Sequence, residues 1–336
     1  MITQKPLFTI LNLPGIKSPD ERSPRNCIKE LDQSTAQMQK TVTPVLLESH
    51  TAHVNRALFV PDGEALYSLG FNGELFEWNP QDWSPRRSLP GHDQSVNALA
   101  FSMDGKTMYS GGTDGRLIIW DRATGEPAEV IEEFKRGVHQ VQVLPASGLL
   151  ALSTPREEIV LYHLEEKRPI QAFAPRGKRK GLFAIGPRES KAVIAEFGGN
   201  LLLVSLPELR VQQEIKASEE AIMGCLFLTE ERLLTVDYKG KLQLWDLDEG
   251  EAVKTVDLND KDYYFLSLSF DKNRLALSHS HHLRLYDAPT LEEQAVLELK
   301  PKGNYGSGFS PDGRWLALGS ADKKVRVWEV ERLRNF

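Results

Sequence analysis

The chain has 336 residues and a formal net charge of −6, which argues against a surface built mainly to neutralise phosphates and makes nucleic acid an unlikely direct ligand. Its two cysteines, Cys27 and Cys225, are far apart and offer neither a disulfide framework nor a CxxC metal knuckle, so a reducing, cytoplasmic setting fits best. Length alone would allow two domains, but a repeat that tiles from about residue 43 onward points to one large domain.

Residues 1–42 lie outside the repeat and read as a partly flexible N-terminal extension, with residues 43–336 forming the folded domain. Leu7 to Leu13 is apolar but far too short to span a bilayer, and no small-residue cleavage site follows it. Ser18 to Arg25 has the Pro, Ser and charge content of a linker, and Cys27 to Gln39 could make a short polar helix. Docking of Leu7 to Leu13 on a partner or on the folded domain is the alternative to a mobile tail.

The repeat is clearest from Gly91 to Asp121. Val96 to Phe101 alternates, and Thr107 to Ser110 and Leu117 to Trp120 are short β-rich runs. Asp104-Gly105 and Asp114-Gly115 mark the turns between them, so the unit predicts an antiparallel meander. Its closing position recurs at Trp78, Trp120, Tyr162, Val204, Trp245, Tyr286 and Trp328, in steps of 41 or 42 residues, the period of four-stranded propeller blades.

The Gly91–Asp121 stretch resembles the WD-repeat family: Gly91-His92 opens it and Trp120-Asp121 closes it. The resemblance implies a buried structural relay of hydrogen bonds through His92, Ser110, Asp114 and Trp120. In unit one, His50, Ser68, Asn72 and Trp78 stand at those places, with Asn72 replacing the acid. Units three and four have lost the His, the turn Asp and the Trp. Units five, six and seven end in Leu242–Asp246, Leu283–Asp287 and Val325–Glu329.

The fold expected is therefore all-β: a seven-bladed β-propeller of four-stranded antiparallel blades. Trp328 is followed only by EVERLRNF, so the last blade lacks most of its outer strand. An N-terminal strand at Val45 to Leu47 is placed to pair there and close the ring, the solution that the family resemblance implies.

No catalytic constellation is present: there is no G-x-S-x-G elbow, Gly-Lys-Ser/Thr loop or H-E-x-x-H, so no enzyme activity and no cofactor are expected. His279-Ser280-His281-His282 is the one metal-like signal, and a metal or enzymatic site near His279 and His281 is the least favoured reading, since no acidic or Cys ligand lies beside it in sequence.

The resemblance implies partner binding on the narrow face, at the third and fifth residues after each His and the residue before each turn Asp. Those places hold Phe71, Arg179, Phe197, Met223, Tyr238, Tyr264, His279 and Tyr305. Aromatic and Met side chains on a rim are what binding hot spots are made of; the alternative is that individual rings pack against a neighbouring blade. Arg176, Lys178 and Arg179 belong to a basic run, 176–180, that would steer an acidic or phosphorylated segment. The leading function is a non-catalytic scaffold or adaptor subunit for a protein or peptide partner. The alternative is a phospho-ligand or nucleic-acid reader built on the basic run.

Overall fold

A computed structural model describes residues 42–134, 137–154, 159–174, 182–196, 198–262, 264–300 and 302–334. They belong to one unit, Val42–Phe336. The readings made for Leu7–Leu13, Ser18–Arg25 and Cys27–Gln39, and for Arg176, Lys178, Arg179 and Phe197, fall outside the described residues.

Strand β1 (Val45–Glu48) precedes the repeats. Unit one supplies β2 (Val54–Phe59), β3 (Leu66–Gly70), β4 (Leu75–Trp78) and β5 (Pro85–Ser88). Unit two supplies β6 (Val96–Phe101), β7 (Thr107–Gly112), β8 (Leu117–Asp121) and β9 (Pro127–Ile131). Units three and four give β10 (Gln140–Leu144), β11 (Leu149–Ser153), β12 (Ile159–His163), β13 (Arg168–Phe173), β14 (Leu182–Ile185), β15 (Lys191–Ala195), β16 (Asn200–Ser205) and β17 (Val211–Lys216). Units five and six give β18 (Ile222–Phe227), β19 (Arg232–Asp237), β20 (Lys241–Asp246), β21 (Glu251–Asp257), β22 (Phe265–Leu268), β23 (Arg274–Ser278), β24 (His282–Asp287) and β25 (Glu293–Glu298). Unit seven gives β26 (Asn304–Phe309), β27 (Trp315–Ser320) and β28 (Lys324–Glu329), followed by the short helix α1 (Val330–Arg334).

The expectation of seven separate four-stranded blades is corrected. Five sheets have four strands each, but the other eight strands form one continuous sheet in the order β1-β28-β27-β26-β2-β3-β4-β5. The join is a parallel bridge between β2 and β26 at Arg56 and Gly306. Its cause is glycine. A Cβ on Gly308 would lie 2.7 Å from the Ala57 carbonyl oxygen, and one on Gly319 would lie 2.6 Å from that of Val54. Backbones that side chains normally hold apart here come within bonding range.

At the other edge of that sheet, β1 runs antiparallel to β28 from Val45↔Val327 to Glu48↔Lys324, and Glu48 forms an ion pair with Lys324. Leu47 alone is buried, while Val45, Leu46 and Glu48 are exposed, so β1 is a largely uncovered edge strand.

The core lies between sheets rather than within them. Unit one's Tyr67 and Leu75 pack with unit two's Met108 and Trp120, and unit two's Leu117 packs with unit three's Leu150 and Tyr162. The same sharing links units four and five, five and six, and six and seven. Each inner sheet face is therefore apolar on both sides, whereas outer strands such as β17 and β21 are largely exposed and charged. Neighbouring units also touch backbone to backbone at their turns: a Cβ on Gly73 (φ +90°) would sit 2.2 Å from the His92 carbonyl oxygen.

Candidate functional site

In unit two the relay is continuous. Trp120 Nε1 donates to Ser110 Oγ at 2.8 Å, Ser110 Oγ lies 2.7 Å from His92 Nε2, and His92 Nδ1 lies 2.9 Å from Asp114 Oδ2. Since Ser110 accepts from the indole, its own proton goes to Nε2, which leaves the imidazole proton on Nδ1 facing the carboxylate. Burial lowers the His92 pKa below its ordinary 6.5, with Asp114 opposing the shift, so the neutral ring assumed by this wiring is the favoured form.

Unit one has the same wiring with one correction. Ser68 Oγ receives Trp78 Nε1 at 2.8 Å and contacts His50 Nε2 at 2.6 Å, but the carboxylate on His50 Nδ1 is Glu74, at 3.1 Å. Asn72, expected in that place, instead donates to Thr51 Oγ1. The extra methylene of Glu lets a residue beyond the turn reach back to the ring, and Glu74 also accepts from the Thr51 amide and hydroxyl.

The inner strands converge on a cavity of about 590 Å³ on the ring axis. Asn55 and Asn97, five residues after His50 and His92, line it with His139, Met223 and Tyr305 at the corresponding places of units without that His, together with Leu182 and Phe265. Phe71 reaches its rim and packs on Tyr305 with ring centroids 5.3 Å apart; it is 41% exposed. Phe265 in turn meets Tyr305 edge to face at 6.3 Å. The structure thus brings Phe71, Met223 and Tyr305 together. Tyr238 is exposed, and is not among the residues lining the cavity.

Two expected anchors are corrected. Tyr264 and His279 are each only 1% exposed, so neither is a surface contact. In unit six β22 begins at Phe265, one residue later than the spacing implies, and period-two alternation then turns Phe265 to the cavity and Tyr264 inward. The Tyr264 hydroxyl donates to the Asp260 carbonyl at 2.8 Å, and its ring lies 5.2 Å from that of His279.

One cavity group was missed. The Arg56 side chain on β2 makes no hydrogen bond or ion pair with the described residues, and desolvation lowers its pKa from the ordinary arginine value. Its signal in the sequence is weak: it sits next to Asn55, at a place where period-two alternation would turn it away from the axis. The bulge in β2 between Val54 and Arg56 is what turns it inward. The cavity also holds Asp262, so both signs of charge are present. The one described cysteine, Cys225, is free and buried, and its thiol is pushed up to about 12, far from a reactive thiolate at neutral pH. Among the described residues no helix is long and apolar enough to cross a membrane.

The model of the WD domain, G-beta repeat, matches residues 83–121 and 302–329, covering the well-wired unit two and the last unit. Similar proteins include the "Target of rapamycin complex subunit LST8-1" of Arabidopsis thaliana, 28% identical over 29% of this chain and 33% of that protein. The "Target of rapamycin complex subunit wat1" of Schizosaccharomyces pombe is 30% identical over 29% of this chain and 32% of its own. The "Target of rapamycin complex subunit LST8" of Mus musculus is 28% identical over 31% and 32%. The chain's match spans about a third of the length of these relatives. The repeat period and the His–Ser–Trp relay of unit two agree with the two matched stretches, so the chain is similar to proteins of the WD-repeat family.

Proposed function

We propose that this chain is a non-catalytic scaffold or adaptor subunit that holds a protein or peptide partner over the axial cavity. The observation that carries the reading is the Phe71–Tyr305 pair at the rim of a 590 Å³ cavity, with Phe265 and Met223 inside it. Partly exposed aromatics around a concave site supply rigid apolar anchors at low ordering cost. The Arg56 side chain adds a cation with no hydrogen-bond or ion-pair partner among the described residues, which favours an acidic side chain from the ligand. The three relatives named above are called subunits of the target of rapamycin complex, and membership of a larger assembly is the corresponding role here. Tyr238, Phe197 and the basic residues Arg176, Lys178 and Arg179 extend the same surface in this reading, giving charge selectivity for an acidic or phosphorylated partner. A cytoplasmic setting accompanies it.

The test is recovery of partners from the native source by the wild-type chain, identification by mass spectrometry, and titration of the purified partner against Phe71→Ala/Tyr305→Ala. A folded double variant is expected to bind at least about tenfold more weakly, since anchors of this kind contribute more than ~1.4 kcal/mol. Retention of wild-type affinity would sink the cavity as the working surface. Steep loss of binding with salt and none with the aromatic variant would instead favour a phospho-ligand reader.

A further inference from the structure

We propose that the corner of unit six formed by Asp262, His279 and His281, with Asp260 and His282 beside them, binds one divalent transition-metal ion of the zinc class. The sequence shows three histidines in one turn between β23 and β24, and no acid next to them. The fold supplies the acids, because the loop leading into β22 carries Asp260 and Asp262 to the same corner. The donor atoms of Asp262, His279 and His281 lie within 4.8 Å of one another, and so do those of Asp260, His279 and His282.

Distances within the group suit a metal. His279 Nδ1 is 3.2 Å from Asp262 Oδ2 and 3.9 Å from Asp260 Oδ2, and His281 Nδ1 is 3.9 Å from Asp262 Oδ2. Tetrahedral donors bound at about 2.0–2.2 Å around one zinc ion stand roughly 3.3–3.6 Å apart, so these pairs are within about half an ångström of that spacing. Imidazole and carboxylate without thiolate select zinc, nickel, cobalt or copper over the hard cations that prefer all-oxygen shells.

The surroundings are those of a held ligand set rather than of loose surface side chains. His279 is almost fully buried against Tyr264. Asp262 Oδ2 also accepts from the Ser280 amide at 3.1 Å and from the Ser280 hydroxyl, which fix the carboxylate's direction. His282 Nδ1 is buried with no hydrogen-bond partner among the described residues, a polar atom that would ordinarily be satisfied. The His281 side chain, 38% exposed, opens the corner to solvent.

Unit six also lacks the wiring that holds this corner elsewhere. Ten residues before its closing Tyr286 stands Ala276, where units one and two have Ser68 and Ser110. Tyr286 turns its hydroxyl to Glu293 instead. An ion bridging β22's leading loop to the β23–β24 turn would do for unit six what the His–Ser–Trp relay does for unit two.

The test uses the full chain without a histidine tag, stripped with chelator. Cobalt(II) is added and followed by its visible absorption, then displaced with zinc. The expected result is one ion per chain with Kd at or below about 1 µM, and a zinc-dependent rise in Tm. His281→Ala and Asp260→Asn, both at partly exposed side chains, are each expected to weaken binding at least tenfold while leaving the metal-free Tm within a few degrees; His163→Ala, in β12, is expected to leave binding unchanged. No 1:1 binding tighter than about 100 µM overturns the proposal. So does wild-type affinity in a folded His281→Ala/Asp260→Asn double variant.

Discussion

Units two and seven both match the same repeat model, yet their tryptophans are held in different ways. Trp120 donates to Ser110, ten residues earlier, and through it joins His92 and Asp114. Trp328 is also buried, but ten residues before it stands Leu318, and its indole nitrogen has no hydrogen-bond partner among the described residues. An unmade buried hydrogen bond costs about 1–3 kcal/mol, while a buried Leu side chain contributes roughly 1.5–3 kcal/mol. Leu318 therefore offsets what the missing hydroxyl forfeits. The comparison separates two jobs of the tryptophan: filling the seam between sheets, which both units need, and tying the turn to the strand, which only unit two does.

Ser110→Ala should break the contrast most severely. It leaves Trp120 Nε1 and His92 Nε2 unpaired together, for an expected loss of about 2–4 kcal/mol in urea unfolding. A loss below ~1 kcal/mol would mean that the relay is decorative. A paired test follows with a smaller effect. Trp120→Phe should cost about 1–3 kcal/mol more than Trp328→Phe, because only the first leaves a buried hydroxyl without its donor. Equal costs, measured by the same urea titration, would show that packing alone sets both.

The smallest effect is in the pH dependence. Burial holds the His50 and His92 pKa values below their ordinary 6.5 in the folded state. Below about 6.5 the unfolded chain takes up protons that the folded chain resists, so this stabilisation is complete above that pH and is lost as the pH falls through it. The urea midpoint should therefore decline between pH 7 and pH 5, and less so in His92→Gln. An unchanged slope in that variant would remove His92 from the account.

The repeat period, the unit-two relay and the strand at Val45–Leu47 could be read from the sequence because each rests on fixed spacing. Glu74 could not, since a longer side chain reaching back from beyond the turn carries no spacing signature. The choice between Tyr264 and Phe265 depended on where β22 begins, and a one-residue shift exchanges the two faces of a strand. The fusion of two blade-like sheets hung on Gly306, Gly308 and Gly319, which were visible as letters but whose effect needs the partner strand β2 in place. Asp260 and Asp262 came to the histidine turn through tertiary folding, over a separation of 17 residues for the Asp262–His279 pair.

The pairing of β1 with β28 also sets a schedule. Glu48 and Lys324 are 276 residues apart, so at a synthesis rate of about 5–20 residues per second the first strand waits on the order of 15–55 s before its partner is made. During that interval the four residues of β1 are an open edge. Their shortness and the charge of Glu48 limit what else can pair with them, so the same strand that completes the finished ring must be a poor template for strangers in the nascent chain.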